Sequence, residues 1–124
     1  MPTADLSTHP VTTTPYGRWQ ALNAGLGVTA FGINAIVCDP GETIDTEHDE
    51  AESGQEEAYI VVAGSGRITL DGEIHELRPW DVVRISPSVV RALEAGEDGL
   101  EYIAIGSDRP EGGDGVQAPI DWPD

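Results

Sequence analysis

Short runs rich in Val, Ile and aromatic residues recur along the chain, each closed by Gly, Pro or Asp, and no segment carries the apolar stripe of an amphipathic helix. β-Branched and aromatic side chains fit a pleated, half-buried surface, so these runs predict strands over 28–38, 58–63, 67–71, 74–77, 82–85, 89–94 and 100–105. Asp71-Gly72 falls between two of them. It is a two-residue hairpin signal, because both central positions of that turn need positive φ. Gly64-Ser65-Gly66 and Gly96-Glu97-Asp98-Gly99 predict two further turns. Many short strands at close spacing argue for an all-β sandwich or barrel over residues 15–107. Residues 1–14, with two prolines and a Thr12-Thr13-Thr14 run, lack periodicity and predict a flexible N-terminal arm. Residues 108–124 hold three glycines, three prolines and five acids and predict a flexible acidic C-terminal tail.

A chain of 124 residues suits one domain and is long enough for a real core. Twenty-three acidic residues against six arginines and no lysine give a net charge of −17. That charge repels phosphate backbones and anionic lipid, which excludes nucleic acid and membrane surfaces as partners. The excess acid reads as a solvated surface. Cys38 is a lone cysteine in an apolar run, hence a small buried residue rather than half of an internal disulfide. The first fifteen residues lack the basic start and apolar stretch of a signal peptide, and no run reaches membrane-spanning length, so the sequence predicts a cytoplasmic protein.

Two stretches in the middle carry more. Gly41-Glu42-Thr43-Ile44-Asp45-Thr46-Glu47-His48-Asp49-Glu50, followed by Glu57 and by Gly64 seven residues later, resembles the first motif of the cupin superfamily: a glycine, a His-x-His pair, a glutamate and a glycine. Trp80-Asp81-Val82-Val83-Arg84-Ile85-Ser86-Pro87-Ser88-Val89-Val90-Arg91 resembles the second motif: Gly-Asp, a short apolar strand, Pro-Gly and a histidine. The resemblance spans about residues 31 to 105. It implies a double-stranded β-helix, the cupin jelly-roll barrel, with its chemistry in the barrel interior, and a homodimer formed through a sheet edge. The departures are informative. Of three histidines and a glutamate in the family's ligand set, His48 and Glu57 keep their types, Glu50 stands for the second histidine and Arg91 for the third. Trp80 and Ser88 replace the two glycines of the second motif, and six residues separate Glu50 from Glu57. Counting strictly from Gly41 instead puts Glu47 and Asp49 at the ligand positions. A strand turns one parity inward, so the two registers exclude each other.

The metal candidates carried by the resemblance are therefore His48, Glu50 and Glu57, a thin set for iron, manganese, nickel or zinc. The acidic stretch 42–57 lacks the spacing of a calcium loop. His75 reads as a surface residue and His9 belongs to the arm. Arg91 has no lone pair to offer a metal, and if it points inward it must be paired. Its partner is either Glu57, an internal ion pair in place of a metal, or the carboxylate or phosphate of a bound ligand; after a register shift it faces solvent instead. Arg91, Glu57, Tyr59 and Trp80 are the ligand-binding candidates, the two aromatics as packing residues able to line a pocket mouth. The leading expectation is a barrel that binds a small, anionic ligand without a complete metal site or cofactor. The alternatives are a metal-dependent cupin enzyme of oxygenase or isomerase type using His48, Glu50 and Glu57, and an interaction module with a filled barrel. No catalytic residue and no substrate follow from the sequence.

Overall fold

Glycine placement decides the architecture. A computed structural model describes residues 12–48, over 45–48 as backbone alone, and residues 55–107. The strands are β1 (Trp19–Ala21), β2 (Gly32–Cys38), β3 (Thr43–His48), β4 (Glu57–Leu70), β5 (Glu73–Leu77), β6 (Val82–Ile85) and β7 (Arg91–Gly106), and a single helical turn, α1 (Asn23–Leu26), joins β1 to β2. The predicted strands 58–63 and 67–71 are one strand, β4, and 89–94 and 100–105 are one strand, β7. The Gly64-Ser65-Gly66 and 96–99 stretches are thus bends within strands, not turns between them. β4 and β7 lie antiparallel along their whole lengths, so the two bends sit opposite each other and the ladder continues through register shifts at Val61/Ala63 and Gly64/Gly66. A Cβ on Gly64 would stand 2.2 Å from the Gly99 carbonyl oxygen, and φ at Gly64 is 80°. Only glycine permits that approach.

The shared bend folds one continuous ladder into two facing half-sheets. Beyond the bend in β7, the ladder runs β1-β2-β7-β4-β6. Before it, the order is β3-β7-β4-β5. Inward residues from both halves, including Ile36, Tyr59, Val61 and Tyr102 from the first and Ile68, Leu77 and Leu93 from the second, form one buried cluster. Burying a large side chain of this kind contributes about 1.5–3 kcal/mol each, which is what holds the halves together. The Tyr59 and Tyr102 rings meet at 5.2 Å with a 42° tilt. The all-β expectation holds, and Cys38 is buried as expected.

Three elements escape the sequence pattern. β1 is three residues long; β3, Thr-Ile-Asp-Thr-Glu-His, reads as an acidic loop; and the run from 28 enters its strand only at Gly32, because α1 ends on Gly27 at φ 77° and a bend follows. The Asp71-Gly72 hairpin forms as expected, with φ of 52° and 85°. A second tight turn precedes β6. Asp81 N–H donates to the Arg78 carbonyl at 3.0 Å, its carboxylate accepts from Arg78 N–H at 2.9 Å, and Trp80 lies at φ 74°. Pro79 before a positive-φ residue is the signature of a type II turn, whose third position favours glycine. The arm over 1–11 and the tail over 108–124 lie outside the described residues. Among the described residues no helix is long and apolar enough to cross a membrane.

Candidate functional site

The two half-sheets each contribute one charged side chain to the interior. Glu57 opens β4, paired across the ladder with Ile85 of β6 and Gly106 of β7. Arg91 opens β7 in the other half, paired with Leu70 of β4 and with His48 of β3. Both fall on the inward parity of their strands, alternating with partly exposed neighbours. The side chains meet across the barrel, Arg91 Nη2 lying 3.1 Å from Glu57 Oε1 with both 0% exposed. Tyr59 Oη donates to the same Oε1 at 3.3 Å, and Arg91 Nη2 approaches the Ser86 carbonyl at 3.5 Å, the long limit of a hydrogen bond. Burial first, and the Glu57 charge second, hold the Tyr59 hydroxyl well above its ordinary pKa, so it stays a neutral donor.

Three of the five guanidinium N–H donors, one on Nε and two on Nη1, matter most for function. Arg91 Nε and Nη1 are buried and find no acceptor among the described residues. Buried donors are almost always met, and leaving one unmet costs about 1–3 kcal/mol. Asn34 sits on the inner face of β2, 2% exposed, and its Oδ1 likewise has no donor among the described residues. Asn34 and Tyr59 flank Ala104 in one inward ladder row. Gln55, fully buried just before β4, reaches the Ser107 carbonyl at 3.5 Å.

Of the sequence candidates, the structure brings together Arg91, Glu57 and Tyr59. The alternative in which Arg91 faces solvent is overturned by its complete burial, and of its two inward partners the protein supplies Glu57. Trp80 is 76% exposed on its turn, away from the buried cluster. Its positive φ is a conformation that favours glycine, the residue the family pattern places there. His48 holds the ladder position opposite Arg91, and Glu50 lies outside the described residues. His75 is exposed beside Glu73, as expected of a surface residue. Asn34 and Gln55 were missed: neither lies in either motif, and Asn34 was readable only from its parity within the apolar run 33–38.

The resemblance of the two motifs to those of cupins raises the question of a divalent metal at this place. The described donors do not suit one. Among the described residues no three His, Cys, Asp or Glu side chains converge. The Glu57 oxygen nearest the site is already committed to a guanidinium and a phenol, and a fixed positive charge 3.1 Å away repels a second cation.

A bent, double-sheeted barrel with polar groups aimed inward defines the double-stranded β-helix class. Solved structures match it closely. A cupin protein of Bacteroides fragilis is 25% identical with a TM-score of 0.70, the match covering 80% of this chain and 83% of that one. A cupin 2 domain-containing protein of Halorhodospira halophila is 27% identical with a TM-score of 0.64, over 79% and 68% of the two chains. With the motif residues around Glu57 and Asp81, these place the chain in the cupin superfamily. A curated relative, a mannose-1-phosphate guanylyltransferase of Salmonella montevideo, is 30% identical over 101 residues, which are 81% of this chain and 20% of the relative. The chain thus spans about a fifth of the length of that relative. No protein-family profile matches the chain.

Proposed function

We propose that this barrel is a metal-independent binding module that holds a small anionic ligand in its interior, with Arg91 as the anchor. The observation that supports this is the buried guanidinium: Glu57 engages Nη2, while Nε and Nη1 have no acceptor among the described residues. A carboxylate or phosphate oxygen supplies what those nitrogens lack, and a charge-assisted hydrogen bond in a water-poor interior is among the stronger polar contacts available. Glu57 then acts as a positioning residue, fixing the fork with the help of Tyr59. Asn34 Oδ1 offers an acceptor for a hydroxyl or amine on the same ligand.

The name of the curated relative contains a sugar phosphate, which makes mannose 1-phosphate the first anion to test, followed by inorganic phosphate and small hydroxy acids. Thermal unfolding should shift upward with ligand concentration in the manner of mass action. The double variant Arg91→Met/Glu57→Gln, which leaves no orphaned charge, should fold and lose that response. Anions that stabilise the double variant as much as the wild type would sink the proposal. So would stoichiometric iron, manganese, nickel or zinc in the purified protein, which would favour the metal-dependent enzyme built on His48, Glu50 and Glu57.

A further inference from the structure

The inner face of the larger half-sheet is crowded at one level and sparse at the next two. Ile36, Tyr102 and Val61 lie side by side on β2, β7 and β4, and all three are buried. Two residues further along each strand the row is Asn34, Ala104 and Tyr59, and two beyond that it is Gly32, Gly106 and Glu57. All six are buried and share the inward parity of their strands. The middle strand of this patch thus carries only the methyl of Ala104 and no side chain at Gly106. Polar groups stand on either side of it, Asn34 on β2 and Glu57 with Tyr59 on β4.

Protein interiors are close-packed, so something lies over the bare strip, and the unmet atoms around it say what. Asn34 Oδ1 is a buried acceptor with no donor among the described residues. Arg91, which meets Glu57 at 3.1 Å, brings buried donors on Nε and Nη1 that have no acceptor there. An occupant that satisfies both must present acceptor oxygens on the β4 side and a donor on the β2 side. These strands are two ladder spacings apart, about 10 Å. The two functional groups therefore belong at opposite ends of one molecule, with an apolar chain between them over Ala104 and Gly106. The donor is a hydroxyl and not an ammonium, because the Arg91 charge repels a second cation in the same interior.

We propose that the interior site takes a linear hydroxy acid, its carboxylate on Arg91 and its far hydroxyl donating to Asn34 Oδ1, with Asn34 setting specificity. This rests on the reading of Arg91 as an anion anchor and adds to it the second contact and the length of the ligand. The way in is the groove of about 540 Å³ at this end of the half-sheet, whose lining includes Phe31 and Ser107 together with Glu57 and Gly106 of the last row.

Calorimetric titration of the full chain with two acids of equal length tests this: ε-hydroxycaproate, and heptanoate, in which a methyl group replaces the hydroxyl. Apolar burial alone favours heptanoate. The wild type should nevertheless bind ε-hydroxycaproate about tenfold or more tightly, because heptanoate leaves Asn34 Oδ1 unmet. Asn34→Ala should lose that preference and keep its affinity for heptanoate. Glycolate and acetate, too short to reach Asn34 from Arg91, should not differ from each other. Without ligand, Asn34→Ala should be no less stable in urea than the wild type, since it removes an unmet acceptor and no bond. Equal affinities for the two long acids in the wild type, a preference that Asn34→Ala retains, or a clear loss of stability in unliganded Asn34→Ala would each overturn the role of Asn34 and leave the Arg91 anchor standing. Glycolate favoured over acetate as strongly as the long hydroxy acid over heptanoate would overturn the assigned length. No binding of any of these acids overturns the inference, and the anchor falls with it only when phosphate and mannose 1-phosphate fail as well.

Discussion

Removing the Arg91 guanidinium tests the core of the site directly. In Arg91→Ala the Glu57 carboxylate stays at the same buried place, with the Tyr59 hydroxyl still on Oε1 but its cation gone. Breaking one partner of a buried pair typically costs about 3–5 kcal/mol, because the remaining charge is desolvated without compensation. A domain of this size has a total stability of about 5–15 kcal/mol, so the variant should sit close to unfolding. With about 4–8 °C lost per kcal/mol, the midpoint should fall by roughly 12–40 °C. Glu57→Gln should lose a similar amount by stranding Arg91. The informative variant is Arg91→Met/Glu57→Gln, which removes both charges while keeping volume near the original. If the cost lies in the orphaned charge and not in a lost attraction, the double should be more stable than either single. Urea unfolding followed by circular dichroism at neutral pH gives all four free energies. An Arg91→Ala within about 0.5 kcal/mol of wild type, the range of ordinary surface changes, would refute the buried-pair account. A double variant no better than its singles would refute the reason given for it.

Four further outcomes follow from the local geometry. Trp80→Gly should stabilise the fold by about 1 kcal/mol in urea unfolding, since an exposed tryptophan at φ 74° carries left-handed strain and little packing. Gly64→Ala should lose more than about 2 kcal/mol, because its new Cβ would meet the Gly99 carbonyl at 2.2 Å and neither bent strand can yield alone. Alkaline titration should unfold the protein. Burial raises Tyr16 from 10.0 to about 12 and holds Tyr59 well above its ordinary value, so an unfolded chain gives up these protons first; stability is full below about pH 10 and falls as the pH rises through that value toward 12. Absorbance of tyrosinate should therefore rise together with loss of the β spectrum. Cys38, whose thiol burial pushes up to about 12, should react with a disulfide reagent at pH 8 only after denaturation.

How much of this was readable beforehand depended on the kind of signal. Asp71-Gly72 announced its hairpin because a two-residue turn with two positive φ angles has few chemical solutions. Gly64 announced a departure from regular strand but not its form. A glycine pair looks the same at a chain reversal and at a bend, and only the partner strand, bent opposite at 96–99, distinguishes them. β3 was hidden for the converse reason. Its carboxylates and threonines have no apolar alternation, and it is a strand because the first half of β7 offers it a ladder through Thr43, Ile44 and His48. The tertiary partner there overrides local propensity.

The site was legible through spacing and illegible through pairing. Glu57 and Arg91 stand where the resemblance turns ligands inward, and the chain keeps that geometry while changing the chemistry at one corner from imidazole to guanidinium. That change required an anion for Arg91 only if it pointed inward, and it could not choose among Glu57, a ligand and solvent, because two residues on opposite half-sheets share no local pattern. The same limit bears on the outer face. Ala58 to Ala63 and Tyr102 to Ile105 are apolar on both parities, a composition that a strand in a half-solvated barrel does not need. From sequence, such runs say only that both faces of the strand avoid water. The ladder adds which parity faces the core, and so places Ile60 and Ile103 on the outer side of the half-sheet and Tyr59 and Tyr102 on its inner side.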